Sequence, residues 1–281
     1  MDSIFEQRDS RNDAVVGKVK IDKPIEVLLE GADLSTYLPT PSTFNLDAVE
    51  EDFAYLFMGH WMAGAIGEDR KNVGALIHHF LDTFKNKKKT PALILKTSGA
   101  GSSYMDRESI LNKIDYIRDS IKDAKSLPNI YLLHGEFTDK EINELYNHKK
   151  VKAMVSLTKK PIITTNWSGH LDFLSPEFVT LVNGGLNNVH DTALVPNIIL
   201  KESKWFTPNY YEFIHYLKDM FEDYKPYKEK ATRQAYKSKT EFSYEIMESK
   251  LHNFLENALP TPTSQIKLQL PKLKKLENVE G

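Results

Sequence analysis

From Phe53 onward, short unbroken apolar runs alternate with segments whose apolar residues recur every three or four positions, and this alternation constrains the fold more than any other feature of the chain. AYLFMG (Ala54 to Gly59), PALILKT (Pro91 to Thr97) and NIYLLHG (Asn129 to Gly135) lack the polar alternation of a half-exposed strand. A strand reads this way when helices cover both faces of a parallel sheet. Between the first two runs, Val73, Leu76, Ile77, Phe80, Leu81 and Phe84 stand at offsets 0, 3, 4, 7, 8 and 11, one face of a helix. Ile110, Ile114, Ile117 and Ile121 mark the next helix. Thr138 then opens T-D-K-E, a capping box with Glu141, ahead of a short helix carrying Ile142, Leu145 and Tyr146. VKAMVSLT (Val151 to Thr158), PIITTN (Pro161 to Asn166) and FVTLVNGG (Phe178 to Gly185) read as the fourth, fifth and sixth strands. The pattern predicts an α/β fold with a doubly wound parallel sheet.

The flanks differ. Residues 1–52 are heterogeneous, with a polar stretch from Asp9 to Asp13, a strand-like run PIEVLLEGAD (Pro24 to Asp33) and a linker from Tyr37 to Thr43 that holds Pro39 and Pro41. The α/β domain is expected over 53–207 and C-terminal helices over 208–259. Ile214, Leu217 and Phe221 mark one such helix, and Met247, Leu251, Phe254 and Leu255 another. The tail 260–281, rich in Pro, Thr and Lys, is expected to be disordered or loosely docked. No internal repeat is visible.

One junction does not fit. Only Lys159 and Lys160 separate the fourth and fifth strands, whereas neighbouring parallel strands need a crossover of about a dozen residues. Lys-Lys also lacks the Asn, Asp or Gly that a two-residue hairpin favours. Three arrangements are open: one long strand, an unusual hairpin, or the loss of a helix-containing segment between Thr158 and Lys159.

Composition narrows the function classes. A net charge of −2 gives no basic excess for nucleic acid. No apolar run reaches the roughly 18 residues of a membrane span. The N-terminus MDSIFEQRD lacks the basic and apolar regions of a signal peptide. The chain has no cysteine, which excludes disulfides and thiol chemistry and fits a cytoplasmic setting. D-x-D, H-E-x-x-H, a P-loop, G-x-S-x-G and a helix-opening G-x-G-x-x-G are all absent.

The order of motifs resembles the C-terminal donor domain of GT-B glycosyltransferases of the family 4 type. FMGHWMAGAIGEDRKNVGALIHHFLDTFK is similar to that domain's first strand, loop and helix. LLHGEFTDKEINELYNHKKVKAMVSLT resembles its G-x-(T/S)-D-x-E signature, and PIITTNWSGHLDFL its P-V-I-(A/T)-T segment. KWFTPNYYEFIHYLKDMFEDY and EFSYEIMESKLHNFLE look like its closing helices, and PIEVLLEGAD like its interdomain strand, so that residues 1–52 would be a remnant of the interdomain region and linker. The resemblance implies a Rossmann-like domain that binds a nucleotide-sugar co-substrate, such as a UDP- or GDP-sugar. It implies sugar transfer to an unknown acceptor, independent of metal and with retention, and no further cofactor. Two parts of the family pattern are missing: a full N-terminal domain, which a partner chain would then supply, and the E-x7-E segment, whose place is the junction at Thr158–Lys159. No catalytic residue is assigned. A catalytically inactive interaction or assembly module is the alternative reading.

The candidate donor-binding residues follow. Arg70 and Lys71 stand where the first helix begins, and a cation beside free helix N–H groups suits a diphosphate; the structural alternative is a solvated basic helix start. Gly59 permits close approach of backbone to ligand, and His60 follows it. Lys96 and Thr97 end the second strand, where doubly wound folds bind ligands. Gly135, Glu136 and Phe137 match the family segment that meets the base. Asn166, Trp167, Ser168 and Gly169 match the loop near the diphosphate or sugar, though Trp167 reads equally well as a core or interface residue.

Overall fold

The structure is a computed structural model that describes residues 3–8, 14–21, 25–62, 64, 66–99, 101–155 and 160–259. These fall into two compact units, one drawn from Met1–Leu28 and Glu248–Gly281, the other Leu29–Met247. In the first unit, β1 (Ser3–Arg8) and β2 (Val15–Ile21) pair antiparallel, with Ser3 opposite Ile21 and an irregularity between Gln7 and Arg8. The polar stretch Asp9 to Asp13 and the tail 260–281, expected to be disordered or loosely docked, lie outside the described residues.

The second unit runs β3 (Ala54–Met58), α1 (Val73–Phe84), β4 (Ala92–Lys96), α2 (Tyr104–Ser120), β5 (Ile130–Leu133), α3 (Asp139–Asn147), β6 (Val151–Met154), β7 (Ile163–Thr165), β8 (Thr180–Val182), β9 (Gly184–Asn188), β10 (Lys204–Pro208), α4 (Tyr210–Glu222) and α5 (Tyr224–Glu241). The helix α6 (Tyr244–Ala258) begins in this unit. A four-stranded parallel sheet has the order β5-β4-β3-β6, and β7 and β8 form a parallel pair. A parallel bridge between Met154 and Ile162, with the Met154 N–H donating to the Pro161 carbonyl at 2.8 Å, carries the order on from β6 to β7. Counted from β3, this is the doubly wound order 3-2-1-4-5-6.

At the central strands β3 and β4 both faces of the sheet are buried, which explains their unbroken apolar runs, whereas the edge strand β5 is half-buried throughout. Tyr55, Phe57, Leu93 and Leu95 meet the faces of α1, α2 and α4. Ala54, Leu56, Ala92 and Ile94 turn the other way, toward Leu145 of α3 and toward Leu46 and Val49. All six periodic residues of α1 and all four isoleucines of the second segment are buried. Each such side chain contributes about 1.5–3 kcal/mol. The Tyr55 hydroxyl, sealed in this core, donates to the Leu217 carbonyl at 2.6 Å and so ties α4 to the sheet. Thr138 and Glu141 form the expected capping box.

Three expectations are corrected. The run at Pro24 to Asp33 is not a strand: Ile25 to Gly31 have no strand assignment, and Ala32 makes only an isolated bridge to Ser243. Ile25, Val27 and Leu28 are exposed, so their apolar character does not report burial. The strand expected over Phe178 to Gly185 is two, with β8 parallel to β7 and β9 antiparallel to β10. At the short junction, the parallel bridge excludes both the hairpin and the single long strand. Residues 156–159, including Thr158 and Lys159, lie outside the described residues.

Candidate functional site

In a doubly wound sheet, ligands bind beyond the carboxyl ends of the strands at the point where the strand order reverses. Here that point lies between β3 and β6. A cavity of about 180 Å³ opens there, lined by Phe57 at the end of β3, Val155 just after β6, and Ile163, Thr164 and Thr165 of β7. Arg70, Lys71 and Asn72 line it from the start of α1, and Phe206, Pro208 and Tyr210 from β10 and α4.

Arg70 and Lys71 precede α1 rather than open it. Asn72 is the N-cap in the left-handed conformation, with φ 57°. The buried Asp69 carboxylate accepts the N–H of Lys71 at 2.8 Å and of Val73 at 2.9 Å. One N–H of the first turn of α1 is therefore already held by an internal anion, and the side-chain cations of Arg70 and Lys71 stand beside it. Burial pushes the Asp69 carboxyl up, against the pull of those N–H bonds. Burial also lowers Lys71, the neighbouring Arg70 lowers it further, and Asp69 opposes both. Lys71 as a whole is exposed, so its ammonium is only partly desolvated and available to an anion.

Gly59 lies against Lys71. Its φ is 154°, and a Cβ there would stand 2.6 Å from Lys71 Nζ. The Gly59 N–H donates to the Lys96 carbonyl at 3.1 Å. A second group of predicted residues follows along β4 and β5. The half-buried Lys96 ammonium donates to the Gly135 carbonyl at 2.7 Å and lies 4.7 Å from the ring centre of Phe137. Burial lowers Lys96 and Glu136 opposes this. Phe137 packs on Phe44, and Glu136 is exposed. Thr97 is buried with no hydrogen-bond partner for its hydroxyl among the described residues, and the exposed His60 sets Nδ1 3.1 Å from Ser98 Oγ.

The loop after β7 carries the rest. Asn166 donates its backbone N–H to Val182 at 2.8 Å and its Nδ2 to Asn183 Oδ1 at 3.0 Å. Trp167 stacks on Phe206, a wall of the cavity. Ser168 has φ 82° and ψ −177°, a conformation nearly reserved for glycine. Gly169 begins a one-turn 3-10 helix.

Of the predicted residues, only Arg70 and Lys71 line the cavity. Gly59 joins it through Lys71 and Trp167 through Phe206. Asp69, Asn72, Thr164, Thr165, Phe206 and Tyr210 are not among the residues expected from the sequence. Asp69 carries a readable signal, an acid four residues before the first buried helical position. Tyr210 accepts from Asn72 Nδ2 at 2.9 Å, a contact between residues 138 apart that has no local signal. A wider groove of about 640 Å³ is lined by Gly64 and α2 residues including Tyr104, Met105 and Tyr116, but a single helix supplies nearly all its walls. Among the described residues no cluster of His, Cys, Asp and Glu is placed to hold a metal ion, and no helix is long and apolar enough to cross a membrane.

No protein-family model and no curated protein matches the chain. Solved structures do match. Anabaena Alr3699/HepE in complex with UDP and glucose has a TM-score of 0.52 at 10% identity, covering 83% of this chain and 57% of its own. The same protein in complex with UDP-glucose has a TM-score of 0.52 at 11% identity over the same shares. A glycosyltransferase from Rickettsia africae has a TM-score of 0.48 at 13% identity, covering 82% of this chain and 56% of its own. The chain thus spans little more than half the length of these proteins, and the HepE likeness is one of fold.

Proposed function

We propose that this chain is the donor-binding domain of a glycosyltransferase and that the cavity at the strand-order reversal takes the diphosphate of a nucleotide-sugar. The observation that carries the reading is the convergence there of Arg70 and Lys71, with Lys71 laid across Gly59. Charge-assisted bonds from these cations suit a diphosphate whose nucleoside lies toward β4 and β5. Lys96, Gly135 and Phe137 lie on that side. A volume of about 180 Å³ is below the roughly 300–1,000 Å³ of a complete ligand pocket, so the cavity suits part of the donor. A further domain or partner chain would close over the remainder and bring the acceptor. The HepE structures hold UDP with glucose, and UDP-glucose, on a similar fold, which supports the same ligand class here. Transfer would proceed without a metal, with retention, in the cytoplasm.

A second reading has its own observation. Asp69 already holds the Val73 N–H in the first turn of α1, and the family's E-G-F-G-x4-E-A segment has no counterpart at the Thr158–Lys159 junction. A domain of this kind would bind partners without transferring sugar.

A thermal-shift panel with UDP, GDP, ADP and their sugar conjugates separates the two. A ligand at 100 times its Kd adds about 2.7 kcal/mol of stability. That corresponds to a rise in Tm of roughly 5–10 °C for a domain of this size. The expected result is a shift with one nucleotide class that Lys71→Ala removes. A flat response to every nucleotide overturns the donor reading and leaves the interaction module.

A further inference from the structure

Trp167 is 46% exposed, and its indole lies parallel to the Phe206 ring, with centroids 5.8 Å apart and planes 10° apart. Phe206 lies parallel and offset beside the indole, and nearly half of the residue's surface is exposed. Phe206 is itself held firmly. A Cβ at Gly184 would collide with the Thr207 carbonyl and stand 2.8 Å from the Phe206 ring, so the antiparallel partner β9 presses its bare backbone against that ring. The strained backbone of Ser168 directly after Trp167 is a second constraint on the indole. The result is a braced two-ring platform whose inner ring lines the cavity with Arg70 and Lys71.

Polar groups stand beside it. Glu212 Oε2 accepts the Asn183 N–H at 2.7 Å, and Oε1 accepts Asn183 Nδ2 at 3.1 Å. Asn183 Oδ1 then accepts Asn166 Nδ2 at 3.0 Å. The carboxylate sets the orientation of the first amide, and the first amide sets that of the second. The exposed Asn166, adjacent in sequence to Trp167, is left with its side-chain carbonyl oxygen to offer.

An exposed, braced indole beside a fixed amide matches the two surfaces of a pyranose, an apolar C–H face and a belt of hydroxyls. We propose that Trp167, backed by Phe206, is the platform on which the pyranose of the nucleotide-sugar packs its C–H face, while Asn166 accepts from a ring hydroxyl. This rests on the donor reading of the cavity. The strand order supports the assignment. β4 and β5 lie on one side of the cavity and β7 and β8 on the other, so a diphosphate at Lys71 sends its nucleoside one way and its sugar toward Trp167.

Acrylamide quenching of indole emission tests this on the full chain, with calorimetry recording binding of UDP, UDP-glucose, GDP and GDP-mannose. Trp61 is fully buried and Trp205 half-buried, so the exposed Trp167 contributes most to quenching. The expected result is that a bound sugar conjugate lowers the quenching constant whereas the bare nucleotide does not, and that Trp167→Phe abolishes the difference. Trp167→Ala should bind the conjugate roughly 2- to 10-fold more weakly, the worth of one aromatic face, with Trp167→Phe recovering most of the loss. A conjugate that binds and leaves quenching unchanged overturns the platform and spares the donor reading; the indole then only anchors the β9–β10 hairpin. Equal protection by UDP and UDP-glucose also overturns it, because the indole would be stacking on the base. Absence of all nucleotide binding removes the donor reading and the platform with it.

Discussion

Gly59 and Lys71 are twelve residues apart in the chain and share one small volume. An alanine at 59 would set its Cβ 2.6 Å from Lys71 Nζ at a φ that L residues rarely adopt. The obstructing atom is the far end of a flexible side chain, so the ammonium moves and the fold survives. Gly59→Ala should therefore cost about 1 kcal/mol of stability from backbone strain in a urea titration. It should also weaken nucleotide binding about tenfold by calorimetry, near 1.4 kcal/mol. Because both substitutions act on one ammonium, Gly59→Ala in a Lys71→Ala background should add little further loss of affinity. Full additivity would show that Gly59 acts elsewhere. The sequence makes these two residues legible because a strand-ending glycine and a basic residue before an amphipathic helix are local signals. Phe206 and Tyr210 are not legible in that way, since their place in the cavity depends on a hairpin and a helix that return from far along the chain.

At the scale of elements, α1 shows the same division. Its buried stripe is written in the spacing of Val73 to Phe84, and the structure buries all of it. Its cap is less visible, because Asp69 reaches forward across a left-handed Asn72 instead of standing directly before the helix. Asp69→Ala leaves the Lys71 and Val73 N–H groups without their acceptor and should destabilise the fold by about 1–3 kcal/mol in urea. The pH dependence has a definite sign. Burial holds the Asp69 pKa above 3.8 in the folded chain, so the folded state binds the proton more readily than the unfolded state. The stabilising contribution of this titration is full below 3.8 and is lost as pH rises through the elevated native value. The penalty of Asp69→Ala should accordingly shrink across that window, and a penalty that grows with pH would refute the desolvated-carboxylate account. The strands buried on both faces were readable for a related reason, since a short unbroken apolar run between turn signals fits little besides a strand covered on each side. PIEVLLEGAD misled because Ile25, Val27 and Leu28 are apolar yet exposed, and the β9–β10 hairpin was hidden because GGLNN is entirely exposed and bears no apolar alternation.

Across the whole sheet, the Lys159–Lys160 junction was the sequence's clearest departure from a standard crossover, and the sheet is most thinly paired between β6 and β7 among the described residues. The pair β3–β4 has a five-residue ladder with buried neighbours on both faces, whereas among the described residues β7 meets β6 through one bridge, from Met154 to Ile162, and meets β8 over three residues. Among the described residues, opening this boundary breaks few hydrogen bonds, and opening the centre breaks the core. Stability should therefore be graded across one continuous strand order. Hydrogen exchange read by peptide mass should find the amides of Leu56 and Ile94 exchanging only through global unfolding, and those of Thr164 and Leu181 exchanging faster through local opening. The functional surface lies on the less stable side, since Thr164, Thr165, Phe206 and the Trp167 loop all belong to or follow β7. A bound nucleotide-sugar should slow exchange in β7, β8 and β10 while leaving the ratio between β3 and β4 unchanged. Uniform slowing across all six parallel strands would mean that the ligand stabilises the sheet as one block and that the weak β6–β7 link does not divide it. Selective slowing would mean that ligand binding energy is spent on ordering the half of the crevice that lies beyond the Met154–Ile162 bridge.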